Sequence, residues 1–145
     1  MSRVARVRWA RSLRLVPSRF PPVGLFDRVA RPEDLEVVFA AEALTNDRLR
    51  EEAGDLRLVA PEERIAGPGT TPVMAAFTHL NPEGSRFSDG SYGVWYAARE
   101  MRTAIAERAH HTARFLARTG EPAGEHDMRA YVARIDAELV DLRGA

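Results

Sequence analysis

The chain has 145 residues, a length that fits one domain rather than two. Its 45% apolar and 29% charged content excludes wholesale disorder, and the balance of 21 basic against 21 acidic residues gives no sign of a general nucleic-acid or membrane-surface binder. The absence of cysteine excludes disulfides, thiol nucleophiles and thiolate metal sites, and the absence of lysine excludes a Schiff-base lysine, so every basic residue is an arginine with a planar, permanently charged fork.

The N-terminus, through Val16, is basic and lacks an uninterrupted apolar run, so it reads as structure rather than a secretion signal. Trp9 to Val16 predicts a short strand. Pro17, Pro21 and Pro22 then force an extended loop. Pro32 fits the first turn of a helix carrying Leu35, Val38 and Phe39 at helical spacing. Thr45 or Asn46 is placed to cap a second helix stopped by Gly54. Leu56 to Val59 is a short apolar run expected as a strand, and Gly67-Pro68-Gly69 is a turn. Val73 to Leu80 is open between strand and helix.

Asn81 to Gly93 is rich in Gly, Pro, Ser, Asn and Asp and predicts a loop. Tyr92 to Ala97 reads as a buried strand. Arg99 to Arg118 is the strongest helix, with Met101, Ala104, Ile105, Thr112, Phe115 and Leu116 along one face and Gly120 and Pro122 beyond its end. Met128 to Leu142 predicts one long strand. Interleaved strands and helices make an α+β or α/β domain, with no repeat and no run long enough to span a bilayer.

The chemistry concentrates around the loop. A Gly- and Ser-rich turn carries Arg86 into the aromatic segment that ends in Tyr96, and the helix after it bears Glu107. A loop guanidinium can take a phosphate bidentately. Tyr96 offers a stacking face and a hydroxyl. A fixed carboxylate stabilises an oxocarbenium ion. Each residue also has a plainer reading: Arg86 as a surface arginine, Tyr96 as core, and Glu107 on a solvated helix flank with Glu100, Thr103, His111 and Arg114. Adjacent His110 and His111 diverge on a helix and make no i, i+4 metal pair, so no metal site is expected.

Ser85-Arg86-Phe87, Gly93-Val94-Trp95-Tyr96-Ala97-Ala98 and Ala104-Ile105-Ala106-Glu107 together resemble the RES-domain family, and Leu13 to Phe20 resembles that family's opening strand. The resemblance implies an α+β fold similar to ADP-ribosyltransferases, with a mixed sheet and flanking helices. It implies an NAD-degrading toxin of a bacterial toxin–antitoxin pair, cleaving the nicotinamide–ribose bond with phosphate or water as acceptor. NAD is then substrate rather than resident cofactor. A helix-turn-helix antitoxin is the implied protein partner, the compartment is the cytoplasm, and neither direct nucleic-acid nor membrane binding is implied; a homodimer stays open. Arg86, Tyr96 and Glu107 match the family's pocket arginine, tyrosine and acid, and Arg14 matches a further arginine of the opening strand. The family's serine motif, which lies near the end of its domain, has no match before Ala145. The expectation is therefore a single RES-like domain over 1–145, short of its C-terminal strands. An inactive module that binds NAD or a partner chain, and a protein ADP-ribosyltransferase, are the alternatives.

Overall fold

A computed structural model describes residues 3–18, 24, 26–43 and 54–143. The chain divides into two compact units, one of residues 1–20 with 96–145 and the other of residues 21–95.

The first unit is built on two long antiparallel strands, β1 (Arg3–Pro17) and β2 (Met128–Asp141). β1 is therefore longer than the eight residues expected, because arginines alternate with Val4, Val7 and Trp9 and a two-stranded ladder tolerates charge on its solvated face. The register runs from Arg3 opposite Asp141 to Pro17 opposite Met128 and slips between Trp9 and Ser12. Trp9 faces Ile135 and Ser12 faces Ala133, so β1 holds one residue more than its partner there. That is a β-bulge, and it changes which residues share a face. Arg14, opposite Tyr131, falls on the half-buried face of Val7 and Trp9 rather than the exposed face of Arg6 and Arg8. Ser12 is fully buried, and its hydroxyl donates to the Ala133 carbonyl at 2.8 Å.

The long helix of this unit, Met101–Thr119, is the one the periodicity indicates. Gly120 ends it in the left-handed conformation, φ +70°, which a side chain would resist. The helix rests Ala104 on Leu13, Leu15 and Ala98. Much of its apolar stripe is uncovered: Met101, Ile105 and Phe115 are all exposed.

Phe26, Val29, Leu35, Val59 and Met74 form the core of the second unit, with the Phe39 ring set edge-on to Phe26 at 4.9 Å. Pro32 opens a 3₁₀ turn that leads into α1 (Leu35–Ala43), as expected. The ambiguous run is resolved as α2 (Thr71–Thr78), with Pro72 in its first turn; the Met101–Thr119 helix is α3. Asp27 holds the start of α2: its carboxylate accepts from the Thr71 amide at 2.8 Å and the Thr71 hydroxyl at 2.7 Å. Arg64 is buried, donating to the Val59 carbonyl at 2.9 Å and to Glu36 at 2.7 Å.

Two expected strands are absent. Leu56–Leu58 is a 3₁₀ turn, because the Asp55 carboxylate accepts from the Arg57 amide at 3.0 Å and folds the backbone on itself. Tyr92–Ala97 forms no ladder. Gly93 lies so close to the Ala76 carbonyl that a Cβ would collide with it, and extended pairing is reached only where Ala98 exchanges both backbone bonds with Leu13 at 2.7 and 2.9 Å. The cap expected at Thr45 or Asn46 and the prolines at 21 and 22 lie outside the described residues. The α+β class stands, with an antiparallel two-stranded sheet among the described residues. No helix among them is long and apolar enough to cross a membrane.

Candidate functional site

Three of the four residues singled out from the sequence belong to the first unit. Arg14 is carried by β1 just past the bulge, half-buried, and its Nη1 donates to the Tyr96 carbonyl at 3.3 Å. The guanidinium is thereby tied to the segment that presents Tyr96. Burial above all, and then the charge of Arg108, lowers the pKa of Arg14 from its ordinary value, while Tyr96 acts in the opposite direction. An arginine so perturbed remains charged at neutral pH, but with part of its hydration removed. That is the condition in which a guanidinium gains most from an anion.

Tyr96 leads into Ala98, whose backbone is pinned to Leu13, so its position along β1 is fixed two residues from a double hydrogen bond. Its ring lies 6.3 Å from that of His111, tilted by 50°. His111 in turn lies 5.8 Å from His110, edge-on. Glu107 is half-buried on α3, one helical turn before His111. The first unit thus gathers a desolvated cation, an aromatic ring and the helix that carries the acid around the Tyr96–Ala98 segment.

Arg86 belongs to the second unit. Its loop is braced internally: the Ser85 amide donates to the Ser88 carbonyl at 2.7 Å, and the Asn81 carbonyl accepts from the Gly84 amide at 2.8 Å. Ser88 donates to the Tyr92 carbonyl at 2.6 Å, and the Tyr92 hydroxyl donates to the Phe87 carbonyl at 2.5 Å. These bonds hold Arg86 exposed at the tip of a tight turn, its guanidinium 5.9 Å from the Phe87 ring centroid.

Sequence reasoning passed over Arg108. It is i+4 from Ala104 and i−4 from Thr112, so it interrupts the apolar stripe of α3 with a charge. That interruption was the signal available. Its Nε is buried and has no hydrogen-bond partner among the described residues. No group of three or more His, Asp or Glu residues among the described residues is arranged to hold a metal.

Comparison with known proteins bears on the same region. The RES domain matches residues 61–145, which include Arg86, Tyr96 and Glu107. "Uncharacterized protein y4oC" of Sinorhizobium fredii (strain NBRC 101917 / NGR234) is 34% identical over 131 residues, 90% of this chain and 56% of the relative. The chain therefore spans about half the length of that relative. No solved structure matches. With the RES match extending over more than half of its residues, the chain belongs to the RES-domain family.

Proposed function

We propose that this chain cleaves the nicotinamide–ribose bond of NAD, as the toxin of a toxin–antitoxin pair. The observation that carries the proposal is the desolvated Arg14 guanidinium held on the Tyr96 carbonyl, on the segment between β1 and the helix that bears Glu107. NAD has a pyrophosphate for the guanidiniums, a ring for the aromatic and a ribose for the acid. Arg14 holds the pyrophosphate within the first unit, and Arg86, carried by the second, offers an exposed fork suited to the same kind of oxyanion. Tyr96 packs on the nicotinamide or its ribose. Glu107 orients the ribose and sets a negative charge near its C1.

Cleavage breaks the bond between C1 of the ribose and the nicotinamide nitrogen, and the electron pair leaves with nicotinamide. The positive charge that develops at C1 is the charge Glu107 stabilises. A phosphate oxygen then bonds to C1 and gives ADP-ribose 1-phosphate, or water does so and gives ADP-ribose and a proton. Transfer to a protein breaks the same bond and differs only in the acceptor. A fold similar to ADP-ribosyltransferases, a helix-turn-helix antitoxin partner and action in the cytoplasm belong to the same proposal, and are supported by membership of the family.

Incubation of the purified chain with NAD and phosphate releases nicotinamide and yields a phosphorylated ADP-ribose. Release at the same rate without phosphate, with ADP-ribose as product, makes water the acceptor. A protein-bound ADP-ribose makes it a transferase. Saturable binding of NAD by calorimetry with no nicotinamide released replaces the enzyme with a binding module.

A further inference from the structure

Arg108 is set apart from the other arginines of α3. Arg102, Arg114 and Arg118 are exposed, whereas Arg108 lies half-buried within the apolar stripe. A cation in that place loses hydration and needs a compensating contact. Its Nε is fully covered and has no hydrogen-bond partner among the described residues. Three other buried or half-buried charges are satisfied: Arg64 by Val59 and Glu36, Asp27 by Thr71, and Arg14 by Tyr96. With Nε covered, the two terminal nitrogens of Arg108 are what remain to meet a ligand, and two parallel N–H groups match two oxygens of one phosphoryl group.

We propose that Arg108 is a phosphoryl-binding residue that works with Arg14 as a two-guanidinium receptor beside Tyr96. The placement fits: Arg14 bonds the Tyr96 carbonyl, and Arg108 stands one turn before His111, whose ring neighbours that of Tyr96. Arg108 is also near enough for its charge to act against that of Arg14. Two like charges that repel each other in a partly dehydrated place are stabilised together by a shared anion. The ligand class is an oxyanion of phosphorus, supplied either by free phosphate or by the diphosphate of a dinucleotide. The inference uses the same site as the proposed NAD cleavage, but it concerns binding and does not require turnover.

The test titrates the whole purified chain, by calorimetry, with inorganic phosphate, with ADP-ribose and with nicotinamide riboside, which carries no phosphoryl group. Arg108→Gln weakens the phosphate-bearing ligands about ten- to hundredfold, the loss of a charge-assisted hydrogen-bond pair, and leaves the riboside unchanged. Arg108→Lys, which keeps the charge but not the fork, recovers only part of the loss. Loss on inorganic phosphate assigns the receptor to the free anion; loss on ADP-ribose alone assigns it to the diphosphate. Circular dichroism identifies any variant that has not folded, and in that case the Arg108→Lys comparison decides alone. Unaltered binding of both phosphate-bearing ligands by a folded variant overturns the inference, as does the absence of saturable binding by the natural chain. Nicotinamide release is not read in this experiment, so failure here is distinct from failure of NAD cleavage.

Discussion

At the scale of single residues, the organising group is Arg14. Its guanidinium is fixed to the Tyr96 carbonyl and partly dehydrated. Arg14→Gln keeps an N–H donor on a shorter side chain but removes the charge, and is expected to raise the KM for NAD about tenfold or more while the fold is retained. An unchanged KM would remove Arg14 from the site. Tyr96 separates ring from hydroxyl. If the ring packs on substrate, Tyr96→Phe retains turnover within about fivefold, and Tyr96→Ala loses about one to two orders of magnitude, a stacking contact and its buried area. Equal losses in the two variants would move the role to the hydroxyl. Steady-state kinetics on both distinguishes these outcomes. Residue types were the legible part of the candidate site: arginine, tyrosine and acid were singled out by their likeness to the RES-domain motifs, since each alone also has a plainer reading. Two features were not legible. The burial of Arg14 depends on a bulge that no alternation pattern announces, and the isolation of Arg108 depends on what surrounds it rather than on what it is.

At the scale of elements, the start of α2 gives the clearest energetic case. Burial raises the pKa of the Asp27 carboxyl. Hydrogen bonds from the Thr71 amide and hydroxyl, and from the Gly69 and Thr70 amides, outweigh it and hold the net value below the ordinary 3.8. A carboxylate depressed in the folded state stabilises above its unfolded pKa and loses that stabilisation as pH falls through the folded value. Asp27→Asn should therefore cost about 1–3 kcal/mol at neutral pH. The gap from the natural chain should narrow below pH about 4, where the unfolded carboxyl takes up its proton. Urea unfolding followed at pH 7 and pH 3 measures it; a gap that widens in acid would contradict the assignment. The elements themselves were largely readable. α3 and β2 were marked by period and by Gly120, and α1 by Pro32. Leu56–Val59 and Tyr92–Ala97 were misread because a short apolar run carries no information about its neighbours. One is curled by a side chain two residues away, and the other is held by a close backbone approach at Gly93.

At the scale of the whole molecule, the two compact units divide the candidate residues between them. Arg14, Tyr96, Glu107 and Arg108 are in one, and Arg86 is in the other. That division was not legible, because the chain returns to the first unit only at Tyr96 after seventy-five residues in the second. In the proposed reading, Arg14, Arg86 and Arg108 are binding groups for phosphoryl oxygens, whereas Glu107 acts on charge that exists only as the glycosidic bond breaks. Loss of a group that acts only in the transition state lowers kcat and kcat/KM together and leaves binding intact. The most direct measurement is a proton NMR time course of NAD with the natural chain and with Glu107→Gln, beside calorimetric titration of NAD into both. Free nicotinamide should appear with the natural chain and at least about a hundredfold more slowly with Glu107→Gln, the scale of removing one electrostatic stabiliser, while both bind NAD with similar affinity. Nicotinamide released equally fast by Glu107→Gln would contradict the account.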